Sequence, residues 1–178
     1  MHLDVLFESD FIQDYCGDSV MLRRFRKDDY SEIRTWVNND RVTGLLVDSD
    51  IFAHFHSENE TMAFLNGSLH LDYSNFRLVI ADMGQRYLGQ LEVYNIGQNI
   101  TSCEFDMIVA NPENWRKGIA TEATKILASL LKKKFEMRKL FGKVRAENIP
   151  GISFLHKAGF KRVCGSDNLN ILGYEREL

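Results

Sequence analysis

The sequence has little of what marks several whole classes of protein. Only two prolines, Pro112 and Pro150, occur in 178 residues, which excludes collagen-like repeats and proline-rich linkers. Cysteines number three, Cys16, Cys103 and Cys164, odd and widely spaced. No C-x-x-C pair offers a zinc or redox site, so they read as free thiols of a reducing compartment. No apolar run approaches the roughly 18 residues of a bilayer span. Residues 1–8 carry acids where a signal peptide carries bases and a long apolar core. A cytoplasmic protein with no membrane partner is expected. An excess of positive charge is also missing: 22 Lys and Arg against 25 Asp and Glu give a net charge of −3. That argues against a nucleic-acid partner.

What is present suits a packed core. Hydrophobic residues make up 44%, with 12 Phe, 6 Tyr and 2 Trp, too many to leave in a disordered chain. The length fits one domain. Residues 1–178 are read as a single domain, with the acidic, weakly patterned residues 1–18 as an N-terminal extension.

Periodicity divides the chain. Residues 20–25 read as a strand, and Asp28-Asp29 as a cap for a helix in which Tyr30, Ile33, Trp36 and Val37 recur at helical spacing. Residues 41–56 have no clear period and read as loop with a short extended piece. Ser57 and Glu60 have capping-box spacing, and Met62, Leu65 and Leu69 give the following helix its stripe. Residues 76–81, 87–94 and 102–109 form an antiparallel meander. Strict alternation puts Tyr87, Gly89, Leu91 and Val93 on one face, and it separates Cys103, Phe105, Met107 and Val109 from Glu104, Asp106, Ile108 and Ala110. A break at 111–118 precedes the strongest helical stripe, Ile119, Ala123, Ile126, Leu127, Leu130 and Leu131, with Lys132-Lys133-Lys134 near its C-terminal end. Residues 140–146 return to strand, Pro150 and Gly159 bracket a short helix, and two strands end the chain. No internal repeat is visible.

Chemistry concentrates at the break. Arg116-Lys117-Gly118-Ile119-Ala120-Thr121 lies between a strand and a long helix. Small residues at 118 and 120 allow close backbone approach, and the unpartnered first N–H groups of a helix favour an anion. The segment reads as a phosphate cradle or as a tight turn with solvated bases. It is neither a Walker loop nor G-x-G-x-x-G.

The run Asn111-Pro112-Glu113-Asn114-Trp115-Arg116-Lys117-Gly118-Ile119-Ala120-Thr121-Glu122-Ala123 resembles the coenzyme A motif of the GNAT acetyltransferase superfamily, [Q/R]-x-x-G-x-[G/A], at Gly118 and Ala120. Trp115 stands where Gln or Arg is commonest, a substitution familiar in the Rim-type branch. Arg116 stands where a glycine is frequent. Residues 147–160, Glu-Asn-Ile-Pro-Gly-Ile-Ser-Phe-Leu-His-Lys-Ala-Gly-Phe, resemble a second family block, and residues 20–29 resemble the Rim-type opening strand and helix. The resemblance runs from about residue 19 to the C-terminus.

The resemblance implies an α/β fold: a mixed, mostly antiparallel twisted sheet with helices on both faces and a splayed central V holding acetyl-CoA. It implies an N-acetyltransferase moving acetyl from acetyl-CoA to a primary amine by direct transfer, with no metal. Met107, Ile108 and Val109 would pair with pantetheine. The backbone of Arg116, Lys117, Gly118, Ile119, Ala120 and Thr121 would hold the pyrophosphate. Asn148 would bond the pantetheine arm, with Phe154 and Lys157 at the thiol end and the phosphates. Glu104 occupies a position that often serves as general base, and its bland alternative is a polar residue on a solvent face. Asp106, where the family usually has Gly, either shares the chemistry or is a solvated carboxylate. The pair is expected to titrate in coupled steps, one pKa raised.

Leu155 replaces the family's frequent tyrosine acid, leaving Ser153 and Tyr174 as candidates that are first of all structural. Cys103 faces away from Glu104, so an acyl-cysteine route has no support. His54 and His56 read as a surface or substrate-loop pair rather than a metal site. Trp36 and Phe64 read first as core; Phe52 and Phe55 read equally as core or acceptor pocket. The acceptor is either a protein N-terminus or a small-molecule amine. Asp48, Asp50, Glu58 and Glu60 lean toward a cationic small molecule, or form a solvated acidic loop. The assembly is a monomer or homodimer. The rival of another class is a CoA-binding sensor or interaction module without catalysis.

Overall fold

The computed structural model describes residues 15–47, 57–69, 75–96, 101–163 and 170–178. Cys164, His54, His56, Phe52, Phe55, Asp48 and Asp50 lie outside them.

Seven strands form one sheet: β1 (Val20–Arg23), β2 (Phe76–Asp82), β3 (Tyr87–Tyr94), β4 (Ser102–Val109), β5 (Lys139–Arg145), β6 (Lys161–Val163) and β7 (Ile171–Glu177). Their order is β1-β2-β3-β4-β5-β7-β6. Every pairing is antiparallel except β4 with β5. That parallel pair is joined by a crossover helix, as parallel geometry requires. The helices are α1 (Tyr30–Val37), α2 (Asp40–Thr43), α3 (Glu58–Ser68), α4 (Ile119–Phe135) and α5 (Ile149–Lys157). The α/β class and the mostly antiparallel sheet match the expectation.

Two cores lie on opposite faces. On one, Ala123, Leu127, Leu130 and Leu131 of α4 pack against Leu78, Ile80, Leu91, Val93, Cys103 and Phe105. On the other, Ile33, Trp36 and Val37 of α1 and Leu65 of α3 pack against Val79, Ala81 and Ile108. Cys103 and Phe105 therefore share a face that Ile108 does not, as alternation along β4 requires. Burial pushes the Cys103 thiol up to about 12, with the Glu104 charge adding to it.

Three local expectations change. Asp29 makes no side-chain cap to α1 itself; it accepts the Arg26 N–H at 2.8 Å, capping the 3-10 turn Lys27–Asp29 that leads into that helix. The same carboxylate accepts two further bonds from the Arg23 guanidinium, at 2.9 and 2.7 Å, with both side chains buried. The cap at Ser57 and Glu60 forms as a reciprocal box, but Met62 is exposed and α3 buries Thr61, Leu65 and Ser68. Along β3 the alternation breaks. The register against β2 passes from Ile80 opposite Gly89 to Ala81 opposite Tyr87, leaving Leu88 as an extra residue. Such a bulge reverses side-chain parity. Tyr87 joins the α1-side core, while Leu88 packs with Leu91 on the α4 side. Gly89 permits the adjacent close approach: a Cβ there would sit 2.1 Å from the Ile108 carbonyl oxygen.

Candidate active site

Strands β4 and β5 part company half-way. Their pairing ends at Phe105 opposite Gly142, whereas β4 runs on to Val109 and β5 to Arg145. Beyond that fork the two edges enclose a cleft on each side, and the clefts share Leu45, Leu46, Met107, Ile108, Asn148, Gly151 and Phe154 as walls.

The smaller cleft, about 230 Å³, is bounded by the end of β4 and the first turns of α4 and α5. Met107, Ile108, Val109, Arg116, Gly118, Ile119, Ala120, Thr121, Asn148, Phe154 and Lys157 all line it. Lys117 does not; its Nζ lies 3.3 Å from Asn114 Oδ1. Gly118 caps α4 at φ +88°, a left-handed conformation that suits glycine. Arg116 also takes a left-handed φ, 64°, so the loop keeps a glycine-like turn without the glycine. Trp115 has a structural use at the motif's first position: its Nε1 donates to the Val109 carbonyl at 2.9 Å, tying the loop to β4.

Asn148 closes the wall from α5. Its Oδ1 accepts from Gly151 N at 2.8 Å and its Nδ2 donates to the Leu45 carbonyl at 3.2 Å. A Cβ on Gly151 would lie within 2.8 Å of that side chain, so glycine makes the cap possible. Leu45 and Leu46 were invisible as site residues in the sequence. They follow α2 in a stretch without period; the Asn148 bond holds Leu45 at the cleft, and Leu46 packs against the α1-side core.

The larger cleft, about 270 Å³, includes Phe64, Arg77, Gln90, Glu92, Asp106, Lys143 and Leu155 among its walls. Asp106 is exposed on this wall, directly across β3 from Glu92. Glu92 is held by Arg77, whose Nε lies 2.9 Å from its Oε2, and the Arg77 guanidinium sits 5.0 Å over the Phe64 ring. Glu104 lies one step below the fork and is not among the lining residues. Its carboxylate accepts from Asn95 Nδ2 and Lys143 Nζ, both at 2.8 Å. Burial acts to raise its pKa, but the two hydrogen bonds and the Lys143 charge outweigh that and hold it below the usual glutamate range. The raised carboxylate pKa expected of the pair is therefore not on Glu104.

Of the candidate acids, Ser153 lines the smaller cleft. Tyr174 is buried, with its Oη 3.5 Å from His156 Nε2, and lines neither. Glu58 and Glu60 stand in the first turn of α3 and line neither cleft. Trp36 is fully buried in the core. No cluster able to hold a metal occurs among the described residues.

A forked parallel pair, a left-handed loop at a helix N-terminus and a motif running straight into that helix together form one arrangement. Residues 19–161 match the family model for the acetyltransferase (GNAT) domain. The chain belongs to the GNAT acetyltransferase family. No curated protein sequence matches it significantly. Among solved structures, a GNAT-family acetyltransferase from Bacillus anthracis superposes with a TM-score of 0.74 at 16% identity, covering 92% of this chain and 97% of its own. The Vibrio cholerae spermidine N-acetyltransferase, in complex with CoA and spermine, gives 0.72 at 19%, covering 90% and 96%. Mycobacterium smegmatis RimJ, in complex with CoA-disulfide, gives 0.70 at 18%, covering 89% and 81%. These identities carry the GNAT fold. No described helix is long and apolar enough to cross a membrane.

Proposed function

We propose that this GNAT protein is an acetyl-CoA-dependent N-acetyltransferase that moves the acetyl group directly to a primary amine. The observation that carries this reading is the wall shared by the two clefts at the β4–β5 fork. A thioester lying along β4 in the smaller cleft would present its carbonyl carbon where the larger cleft begins. Gly118 to Thr121 would receive the pyrophosphate on the first amides of α4, with Arg116, Lys117 and Lys157 supplying charge. Met107, Ile108 and Val109 would pair with pantetheine, Asn148 would brace it, and Phe154 would pack beside the thiol end. The structures of the V. cholerae enzyme with CoA and of RimJ with CoA-disulfide support this choice of co-substrate.

An amine in the larger cleft would enter as an ammonium and must lose a proton before attack. Of the two carboxylates on that wall, Glu92 is paired with Arg77 and Asp106 is exposed, so we assign the proton-accepting role to Asp106, directly or through water. Glu104 then holds Lys143 at the cleft rim. The neutral amine attacks the thioester carbon, the carbonyl oxygen takes the negative charge, and a β4 amide at the fork stabilises it. Collapse breaks the C–S bond and expels the CoA thiolate, a good enough leaving group to depart without a protein acid, consistent with Leu155 at the family's tyrosine position; the nitrogen's remaining surplus proton passes to solvent, which protonates the thiolate.

The acceptor is either a small-molecule amine or a protein N-terminus of the Rim type. Incubation with acetyl-CoA and a panel of both tests the reading. A gain of one acetyl mass on a panel member, matched by released CoA thiol, supports it. CoA binding with no transfer to any member identifies a CoA-binding module instead.

A further inference from the structure

The wall of the larger cleft carries a fixed hydrogen-bond donor. Gln90 stands on β3 opposite Ile108, one of the residues that line both clefts. It is only 6% exposed, yet it lines the larger cleft. Its carboxamide is oriented by a buried chain. Trp36 Nε1 lies 3.0 Å from Tyr87 Oη, and Tyr87 Oη lies 2.8 Å from Gln90 Oε1. An indole nitrogen can only donate, so the Tyr87 oxygen accepts from Trp36 and its hydroxyl proton goes to Gln90. With Oε1 the atom that meets the Tyr87 hydroxyl, the Gln90 –NH2 is turned away from it. Burial, opposed by the Trp36 bond, leaves the Tyr87 pKa well above its ordinary value, so it remains a donor through neutral pH. Among the described residues the Gln90 –NH2 has no acceptor, and it is not sealed from solvent. The β3 bulge makes this chain possible, because residues 87 and 90 would otherwise face opposite ways.

We infer that Gln90 is a specificity-determining residue: its –NH2 reads an oxygen acceptor, a carbonyl or a hydroxyl, next to the amine that receives the acetyl group. Such a site favours oxygen-bearing amines over plain alkyl amines or polyamines, which have no lone-pair oxygen to offer. Tyr87 and Trp36 act through Gln90 as positioning residues. The inference rests on the acetyl-transfer reading.

The test compares kcat/KM for matched probes with the intact protein and acetyl-CoA: glycinamide for the carbonyl, 2-aminoethanol for the hydroxyl, and propylamine and 1,3-diaminopropane without oxygen. One or both oxygen-bearing probes are expected to outrun the plain amines by about tenfold or more, the value of one well-placed hydrogen bond, and the two arms tell carbonyl from hydroxyl. Gln90→Met, similar in volume, should abolish that ratio. Gln90→Glu, which still accepts from Tyr87 but offers the cleft a carboxylate oxygen in place of the –NH2, should raise kcat/KM for 1,3-diaminopropane, whose second ammonium it can pair with, relative to propylamine. Tyr87→Phe should lower the ratio of oxygen-bearing to plain amines less than Gln90→Met does, through KM of the oxygen-bearing probe rather than through kcat. Calorimetry with CoA confirms that each variant keeps its fold. A wild type that treats both classes alike, a preference that survives Gln90→Met, or a Gln90→Glu that leaves the diaminopropane-to-propylamine ratio unchanged, overturns the inference while leaving acetyl transfer in place. If CoA binds and no probe is acetylated, the transfer reading fails and the inference falls with it.

Discussion

Gly118 adopts φ +88° at the mouth of the smaller cleft, and a Cβ built there meets no heavy atom within 4 Å. The empty space means that a side chain would clash with no protein group. It would stand where a ligand must approach the backbone. Gly118→Ala should therefore cost about 1–2 kcal/mol of stability through left-handed strain, and more than that in function. Loss of one charge-assisted hydrogen bond, about 1.5–3 kcal/mol, corresponds to a CoA affinity weakened by at least tenfold. Calorimetry with CoA on the folded variant checks this, and unchanged affinity would remove the loop from the site. The two carboxylates of β4 separate at the same scale. Asp106→Asn should lower kcat by about a hundredfold or more if it is the base. Glu104→Gln should lower it less, because that carboxylate is engaged by Lys143 and Asn95. The reverse ranking in a pH–rate comparison would return the role to Glu104. Sequence alternation placed both acids on one face correctly. It could not see Lys143 or Asn95, which arrive from a parallel strand 39 residues on and from a turn 9 residues back.

At the level of elements, most helices and strands were legible because their apolar spacing matches what they bury. The stripe of α4 and the alternation of β4 are examples, and the Ser57–Glu60 box marks its helix start from four residues. What escaped detection was set by partners distant in sequence. Asp29 binds Arg23 through both carboxylate oxygens besides capping the turn before α1. Leu45 meets the site through Asn148 and Leu46 through the α1-side core, and no period could announce the β3 bulge. A further long-range link holds β1 to α4. Glu122, in the first turn of α4, accepts from the Ser19 and Val20 amides and from Ser19 Oγ. Desolvation acts to raise its pKa, but the Ser19 and backbone bonds prevail and lower it. A carboxylate depressed in the folded state stabilises it above the ordinary glutamate pKa, and that stability disappears as pH falls through the folded value. Glu122→Gln should thus cost about 1 kcal/mol near pH 7, after allowance for solvent screening. The difference from wild type should shrink toward zero below about pH 4. Thermal melts at several pH values measure it; a deficit constant across pH would show that the charge is irrelevant to the clamp.

For the whole molecule, the decisive relation is between the two clefts and the core beneath them. Both open on the same fork, so in the proposed reaction acetyl donor and amine would be held together with no carrier group between them. The described cysteines offer none. Cys103 is 2% exposed inside the α4-side core, its thiol pushed up to about 12 by burial, and a thiol kept protonated there is a poor nucleophile. Cys16 sits near the start of β1 and lines neither cleft. Direct transfer therefore predicts sequential kinetics: double-reciprocal lines for the amine at several acetyl-CoA concentrations should intersect. Protein incubated with acetyl-CoA alone should gain no acetyl mass. Cys103→Ala should keep kcat within about threefold while losing about 1–2 kcal/mol of stability, the cost of a small buried cavity. Parallel lines, together with an acetylated protein and an inactive Cys103→Ala that still melts cooperatively, would require an acyl-enzyme and a route from the fork into the core. The packing of Phe105 against Phe160, ring centroids 5.5 Å apart, closes part of that route. Opening it would separate two stacked rings behind β4, a change that near-ultraviolet circular dichroism during turnover would register.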